Sequence, residues 1–273
     1  MSGRQRLAAV FSRCKTEGRA ALVGFLTAGD PGVQESKQLL LALAAEVDVL
    51  EIGMPFSDPM ADGAVIQAAS ERALEAGTKL ADLFALAAAV RRAHPALGIV
   101  LMGYGNTALA TGMEHFANNA ANAGVDGVLL VDIPPEEGAI CDDALAQAGL
   151  ARILLLAPTS SEARMQLVGE RATGFIYYVS LTGITGAKMG AVETIAGKVA
   201  AIRQHTNLPV CVGFGVKSAG QAAAIAKVAD GVVVGSQFVG LVAQHRTDIA
   251  AAVAALAAEA GGMRRAIMEA SLI

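Results

Sequence analysis

Val47-Asp48-Val49-Leu50-Glu51-Ile52-Gly53-Met54-Pro55-Phe56-Ser57-Asp58-Pro59-Met60-Ala61-Asp62-Gly63 is a short hydrophobic run that ends in a carboxylate and passes into a loop stiffened by proline and glycine. An apolar run this short, bounded by turn formers, reads as a strand. Runs of the same kind recur at residues 22–27, 99–102, 127–131, 153–156, 175–179, 210–212 and 231–234, so with 47–52 there are eight. Helix-type segments lie between them at 33–46, 80–93, 113–123, 136–147, 163–171, 192–205 and 219–228. Strand and helix in alternation predict parallel strands joined by crossover helices. Eight such units in 273 residues predict an α/β fold, a (β/α)8 TIM barrel, which commonly takes about 250 residues as a single domain. Residues 1–273 are therefore expected to form one domain.

Both ends add helices to this plan. Leu7, Val10, Phe11 and Cys14 keep helical spacing, which marks an amphipathic N-terminal helix and not the continuous apolar core of a signal peptide. Ile249, Val253 and Leu256 keep it again, and Gly261-Gly262 is expected to break that helix before a last short one. Thr159 and Glu162 have the spacing of a capping box at the start of the 163–171 segment.

The composition excludes several classes of function. At 54% hydrophobic but 4% aromatic, the chain suits many helices packed tightly through small residues around a large core. A net charge of −4 without a Lys/Arg cluster offers no footprint for nucleic acid. No run approaches the roughly 18 apolar residues of a membrane span. Cys14, Cys141 and Cys211 are odd in number, far apart and outside any metal-type spacing, which suits a reducing cytoplasmic setting and burial as small hydrophobes.

Barrel chemistry collects where the strands end, and there the sequence places acids. Glu51 sits at a strand end among apolar neighbours that oppose ionisation and raise its pKa, and Asp62 is near enough to share its pocket. His94, His115, His205 and His245 all fall in or at the ends of predicted helices, away from those strand ends. The predicted strands hold no Lys; Lys188 in a glycine-rich loop and Lys217 at a helix start leave imine chemistry open but weak. No G-x-S-x-G elbow and no metal-ligand spacing occur, so carboxylate acid–base work is what remains. Gly213-Phe214-Gly215 and Gly235-Ser236 close the last two predicted strands, where barrels commonly bind phosphate on free backbone N–H groups. Two long loops, 53–62 and 180–191, emerge on the same face, and the second reads as a lid. Asp132 suits catalysis, an Asx turn or a partner contact, Asp30 a turn, a helix start or a site role, and Tyr104 and Tyr177 an aromatic wall or core packing.

Pro55-Phe56-Ser57-Asp58-Pro59-Met60-Ala61-Asp62-Gly63 with Glu51 before it, the Gly29-Asp30-Pro31 turn, Thr182-Gly183-Ile184-Thr185-Gly186, Gly213-Phe214-Gly215 and Gly235-Ser236 occur in a characteristic order. In these motifs the chain resembles the tryptophan synthase alpha subunit family, from about Arg4 to Ile267. The resemblance implies retro-aldol cleavage of indole-3-glycerol phosphate to indole and glyceraldehyde 3-phosphate, with no cofactor in this subunit. It also implies passage of indole to a beta subunit carrying pyridoxal phosphate (PLP) in an αββα heterotetramer. By motif, Glu51 would be the general acid–base and Asp62 would hold the indole N–H. Phe25, Tyr104, Leu129, Tyr177 and Phe214 would wall the indole, while Gly186, Gly215, Gly235 and Ser236 would bind phosphate. Thr185 would order the lid against Asp62. The loops 54–59, 104–108 and 132–136 are the expected docking surface. A stand-alone lyase and a non-catalytic barrel that regulates its partner are the two alternatives.

Overall fold

Each foreseen strand forms, with small shifts at its ends, in a computed structural model that describes residues 1–180, 189–213 and 215–270. The strands are β1 (Ala21–Thr27), β2 (Val49–Gly53), β3 (Gly98–Gly103), β4 (Gly127–Leu130), β5 (Ala151–Arg152), β6 (Leu154–Leu156), β7 (Ile176–Val179), β8 (Val210–Gly213) and β9 (Gly231–Val234). They pair in parallel in the order β5-β4-β3-β2-β1-β9-β8-β7-β6. β5 and β6 are two pieces of the single strand expected around 153–156, interrupted at Ile153. The sheet thus starts and ends on one stave, and nine strands make a nearly closed eight-staved TIM barrel.

Around it lie α1 (Gly3–Thr16), α2 (Val33–Ala44), α3 (Ala64–Glu75), α4 (Leu80–Ala93), α5 (Gly105–Leu109), α6 (Met113–Asn122), α7 (Asp142–Gln147), α8 (Glu162–Arg171), α9 (Met189–Arg203), α10 (Ala219–Ala226), α11 (Ser236–Gln244) and α12 (Ile249–Ala270). Among the described residues, no helix is long and apolar enough to cross a membrane.

Side chains alternate across each strand, so every second residue faces the barrel interior. Val23, Val49, Val100, Leu129, Tyr177, Cys211 and Val233 are buried there together. Leu7, Val10, Phe11 and Cys14 of α1 join the same cluster and plug the N-terminal end. Ser2 starts that helix with a capping box: its Oγ accepts from the Gln5 N–H, and the Gln5 side chain accepts from the Ser2 N–H. The other strand faces, including Leu22, Leu50, Ile52, Ile99, Leu101 and Val212, form a second cluster under the helices.

The N-terminal face repeats one device. Asp48, Asp126 and Asp230 each stand just before a strand, and Oδ2 of each accepts an N–H from the first or second residue of the neighbouring strand, from Leu22 at 3.0 Å, Ile99 at 2.8 Å and Val210 at 2.8 Å. Arginines neutralise them: Arg19 grips Asp48 at 2.6 and 2.8 Å, and Arg6 and Arg91 each reach Asp126 at 2.6 Å. Burial alone would raise the Asp48 pKa, but the bonds from Arg19 and Leu22 outweigh it and hold it below the usual value. Removing one partner of a buried pair leaves an uncompensated charge, so Arg19→Met is expected to cost about 3 kcal/mol in urea unfolding. A change within about 0.5 kcal/mol, the range of ordinary surface substitutions, would mean Arg13, at 3.3 Å from Asp48, does the work alone.

Three expectations about helices need correction. Gly261-Gly262 does not break the chain, because α12 runs through both glycines. Its buried stripe, Ala252, Leu256, Ala260, Met263 and Ile267, is continuous, and it packs along α2 and α10; that packing outweighs the glycine cost of about 1 kcal/mol each. The segment 136–147 divides into a 3-10 turn (Pro135–Ile140) and α7, since Arg152 draws the carbonyls of Ile133 and Pro134 and the Asp142 carboxylate towards itself. α8 is capped by Ser161, whose Oγ accepts from the Arg164 N–H at 3.3 Å, so the Thr159–Glu162 box does not form. α3, α5 and α11 are additions to the sequence reading. α3 escaped it because its buried face is Ala69, Ser70 and Ala73, too small to give an apolar period.

Candidate active site at the C-terminal face of the barrel

Residues 49, 51 and 53 of β2 face inward, which carries Glu51 into the barrel between Phe25 of β1 and Val100 of β3, its register partners. It is 0% exposed, and among the described residues neither carboxylate oxygen has a hydrogen-bond partner. An ionised carboxylate in that position would be very costly, so the group responds by holding its proton. Burial pushes the Glu51 pKa from 4.5 to about 8. Tyr177 lies near enough that the Glu51 charge, after burial, helps keep its phenol protonated.

Asp62 stands above this layer in a cleft lined by Phe25, Thr27, Gly53, Met54, Met102 and Tyr104. The Tyr104 hydroxyl donates to Asp62 Oδ2 at 3.1 Å and accepts the Ala61 N–H at 2.9 Å. Phe56 stacks on the Tyr104 ring at 5.0 Å, and Gln67 Nε2 donates to the Asp62 carbonyl at 2.8 Å. The loop after β2 is thereby tied to Tyr104, just past the end of β3. Burial raises the Asp62 pKa, the Tyr104 hydroxyl opposes that rise, and the Tyr104 phenol itself is pushed by burial to about 12. Burial thus raises both carboxyls, and among the described residues only Asp62 has a hydroxyl donor that opposes the rise.

Glu51 does not line the cleft; it lies two residues deeper along β2 than Gly53, which does. Gly53 is required by Phe25, whose Cζ would lie 2.5 Å from a Cβ at that position.

On the other side of β1 from β2, β9 and β8 are paired neighbours; Gly215 follows β8, and Gly235 and Ser236 follow β9 directly. Gly215 has φ +78°, a conformation that favours glycine. Gly235 caps α11 and Ser236 opens it, and the first turn of a helix carries N–H groups without an intrahelical partner, which suits an anion. Tyr177 fills the space beside Gly213, its hydroxyl 2.6 Å from where a Cβ would be. Leu129 is fully buried in the interior cluster. Thr185, Gly186, Phe214 and most of the 180–191 lid lie outside the described residues.

Other residues resolve into structural roles. Asp132 Oδ1 accepts the Gly105 N–H at 2.7 Å and so joins the loop after β4 to the start of α5. Asp30 is buried in an ion pair with Arg72. His94 and His245 end α4 and α11, His115 lies within α6, and His205 follows α9. Cys14, Cys141 and Cys211 are free and buried. Among the described residues, no group of His, Cys, Asp and Glu is arranged to hold a metal. Sequence reading missed Thr27, whose buried hydroxyl has no partner among the described residues although it lines the Asp62 cleft. Its place at the C-terminal end of β1 was the available signal.

Comparison with known proteins agrees with this geometry. A family model described as tryptophan synthase alpha chain matches residues 11–268. A tryptophan synthase alpha chain of Rhizorhabdus wittichii is 51% identical over 97% of this chain and 98% of its own, and one of Zymomonas mobilis is 48% identical over 93% and 94%. Among solved structures, tryptophan synthase subunit alpha of Legionella pneumophila superposes with TM-score 0.89 at 35% identity, covering 98% of each chain. A Mycobacterium tuberculosis tryptophan synthase chain gives TM-score 0.86 at 36% identity, over 96% of this chain and 98% of that one. With a matched family model that spans nearly its whole length and relatives at about half identity, this chain belongs to the tryptophan synthase alpha chain family.

Proposed function

We propose that this chain is a carbon–carbon lyase subunit that cleaves indole-3-glycerol phosphate to indole and glyceraldehyde 3-phosphate, with Glu51 as its general acid–base. The observation that carries this is a fully buried carboxyl, without a hydrogen-bond partner among the described residues and with a pKa of about 8, one layer below the cleft that holds Asp62. A group with its pKa near the working pH can both give and take a proton.

The reaction needs both acts. Protonated Glu51 gives its proton to indole C3. The resulting carboxylate takes the proton of the side-chain hydroxyl next to the breaking bond. As that C–C bond breaks, its electron pair returns to the indole ring and the hydroxyl carbon becomes the aldehyde. Positive charge that develops towards the ring nitrogen meets Asp62, which the Tyr104 hydroxyl orients and whose burial-raised pKa that hydroxyl opposes.

Phe25, Tyr104, Leu129, Tyr177 and Phe214 wall the ring, and Gly186, Gly215, Gly235 and Ser236 hold the phosphate at the far side of the mouth. The start of α11, with Ser236 in its first turn, supports that anion site. Thr185 closes the lid towards Asp62. No cofactor is required in this subunit.

Indole then passes to a partner beta subunit whose PLP supplies the next chemistry, in an αββα assembly. Exposed Met60, Leu109 and Ile140 around the mouth support docking there. The free, buried cysteines fit a cytoplasmic setting, and packing of α1 and α12 onto the barrel fits one domain over 1–273. Nucleic acid and membrane are not among its partners in this reading.

Indole release from indole-3-glycerol phosphate, assayed with and without the beta subunit, tests the proposal. Cleavage that the partner strongly stimulates is expected. Full activity alone would make the chain a stand-alone lyase, and no cleavage in either case would make it a regulatory barrel.

A further inference from the structure

Asp30 belongs to a motif that the proposed chemistry leaves unused. It lies three residues beyond the end of β1, is 4% exposed, and takes both prongs of the Arg72 guanidinium: Nε at 2.8 Å from Oδ1 and Nη2 at 2.7 Å from Oδ2. Arg72 is in the last turn of α3. The same turn meets the end of α3 again at Gly29, where φ is +81° and a Cβ would lie 2.0 Å from the Thr78 hydroxyl. The Gly29 N–H also donates to Ser36 Oγ of α2 at 2.9 Å. The turn after β1 is therefore pinned between α2 and the far end of α3.

What it pins bears on both carboxyls. α3 begins directly after Asp62 and Gly63, and its Gln67 side chain holds the Asp62 carbonyl. β1 runs beside Glu51, with Phe25 opposite it and Thr27 opposite Gly53. The Asp30–Arg72 pair thus joins the strand next to Glu51 to the helix that starts at Asp62. The ion pairs of Asp48 and Asp126 lie at the opposite face of the barrel and cannot do this.

The form of the contact suits a positional role. A bidentate fork fixes angle as well as distance, and a helix of three turns transmits a constraint at its last turn to its first. The fully buried face of α3 is Ala69, Ser70 and Ala73, with Ile66 packed beside it, so the Asp30–Arg72 pair is the directional polar contact at its far end.

We propose that Asp30 and Arg72 are positioning residues that set the separation of Asp62 from Glu51 by holding α3 in register with β1. This rests on the roles given above to those two carboxyls. Sub-ångström placement decides rate more than binding, because a misplacement of about 1 Å far from the chemistry can cost on the order of 10²-fold.

Arg72→Lys keeps the charge and loses the fork. The double variant Asp30→Asn with Arg72→Gln removes both charges, leaves no orphan ion and covers the case in which a single change does not fold. Either is expected to lower kcat by about 10- to 100-fold with KM little changed, and Asp30→Glu to recover part of it. A crystal structure of the same variant should show the Asp62 carboxylate displaced from the Tyr104 hydroxyl.

A pair that serves only stability would lower the urea midpoint while kcat per folded molecule and the Asp62–Tyr104 bond stayed intact; that result overturns the inference. The two claims fail separately. If Glu51→Gln kept normal turnover, the catalytic reading would fall, while the position of Asp62 in the crystal would still decide the role of Arg72.

Discussion

Glu51→Gln is expected to lower indole release by about 10²–10⁴-fold, the share of rate that a positioned general acid–base supplies. The variant should fold as well as the parent. Glu51 is neutral at pH 7 by virtue of its raised pKa, and neither of its oxygens has a partner among the described residues, so the amide replaces a group of nearly the same shape and charge and breaks no hydrogen bond. KM should change little, since the phosphate site proposed above lies on the loops after β8 and β9, away from β2. Near-normal release from a variant with unchanged circular dichroism would remove Glu51 from the mechanism.

The second large effect of the same substitution is on stability, and it has the opposite sign. The Glu51 pKa is about 8 in the fold against an ordinary 4.5, so between those values the folded state binds the extra proton. The stability that comes with that proton is fully present below pH 4.5 and is lost as the pH rises through 8. At pH 9 the parent carries a buried charge that the variant lacks. From the shift of about 3.5 units at 1.36 kcal/mol each, the variant should gain on the order of 5 kcal/mol relative to the parent between pH 4 and pH 9. Urea titrations of both proteins across that range would measure it. A difference that stays flat with pH would show that Glu51 titrates normally. Loss of activity together with gain of stability is the mark of a group held in an unfavourable place for its chemistry.

The sequence made the barrel legible because its strands are short apolar runs cut by Gly and Pro, and burial on both faces keeps those runs free of polar residues. It made Glu51 legible for the same reason: a carboxylate has no ordinary place in such a run. Three kinds of feature were hidden. Helices that pack through small residues, as α3 does with Ala69, Ser70 and Ala73, carry no apolar period. Local rules gave way to packing at Gly261-Gly262, where the buried stripe of α12 carries the helix onward. Finally, pairings across the fold depend on register, which the chain does not print. Asp30 and Arg72 are 42 residues apart, and the aspartates of the N-terminal face find their N–H donors only once neighbouring strands align. Asp62 was foreseen in the pocket of Glu51, yet the depth difference between them came from β2 register, with Gly53 at the cleft and Glu51 beneath it.

A direct titration of the Glu51 carboxyl tests the central claim most closely. With the side-chain carbonyl carbon labelled in ¹³C and the Glu51→Gln variant used to assign the resonance, the chemical shift followed against pH should give a midpoint near 8. A midpoint near the ordinary 4.5 would mean a hydrated, ionised carboxylate at neutral pH, unable to deliver a proton to the substrate, and would contradict the account.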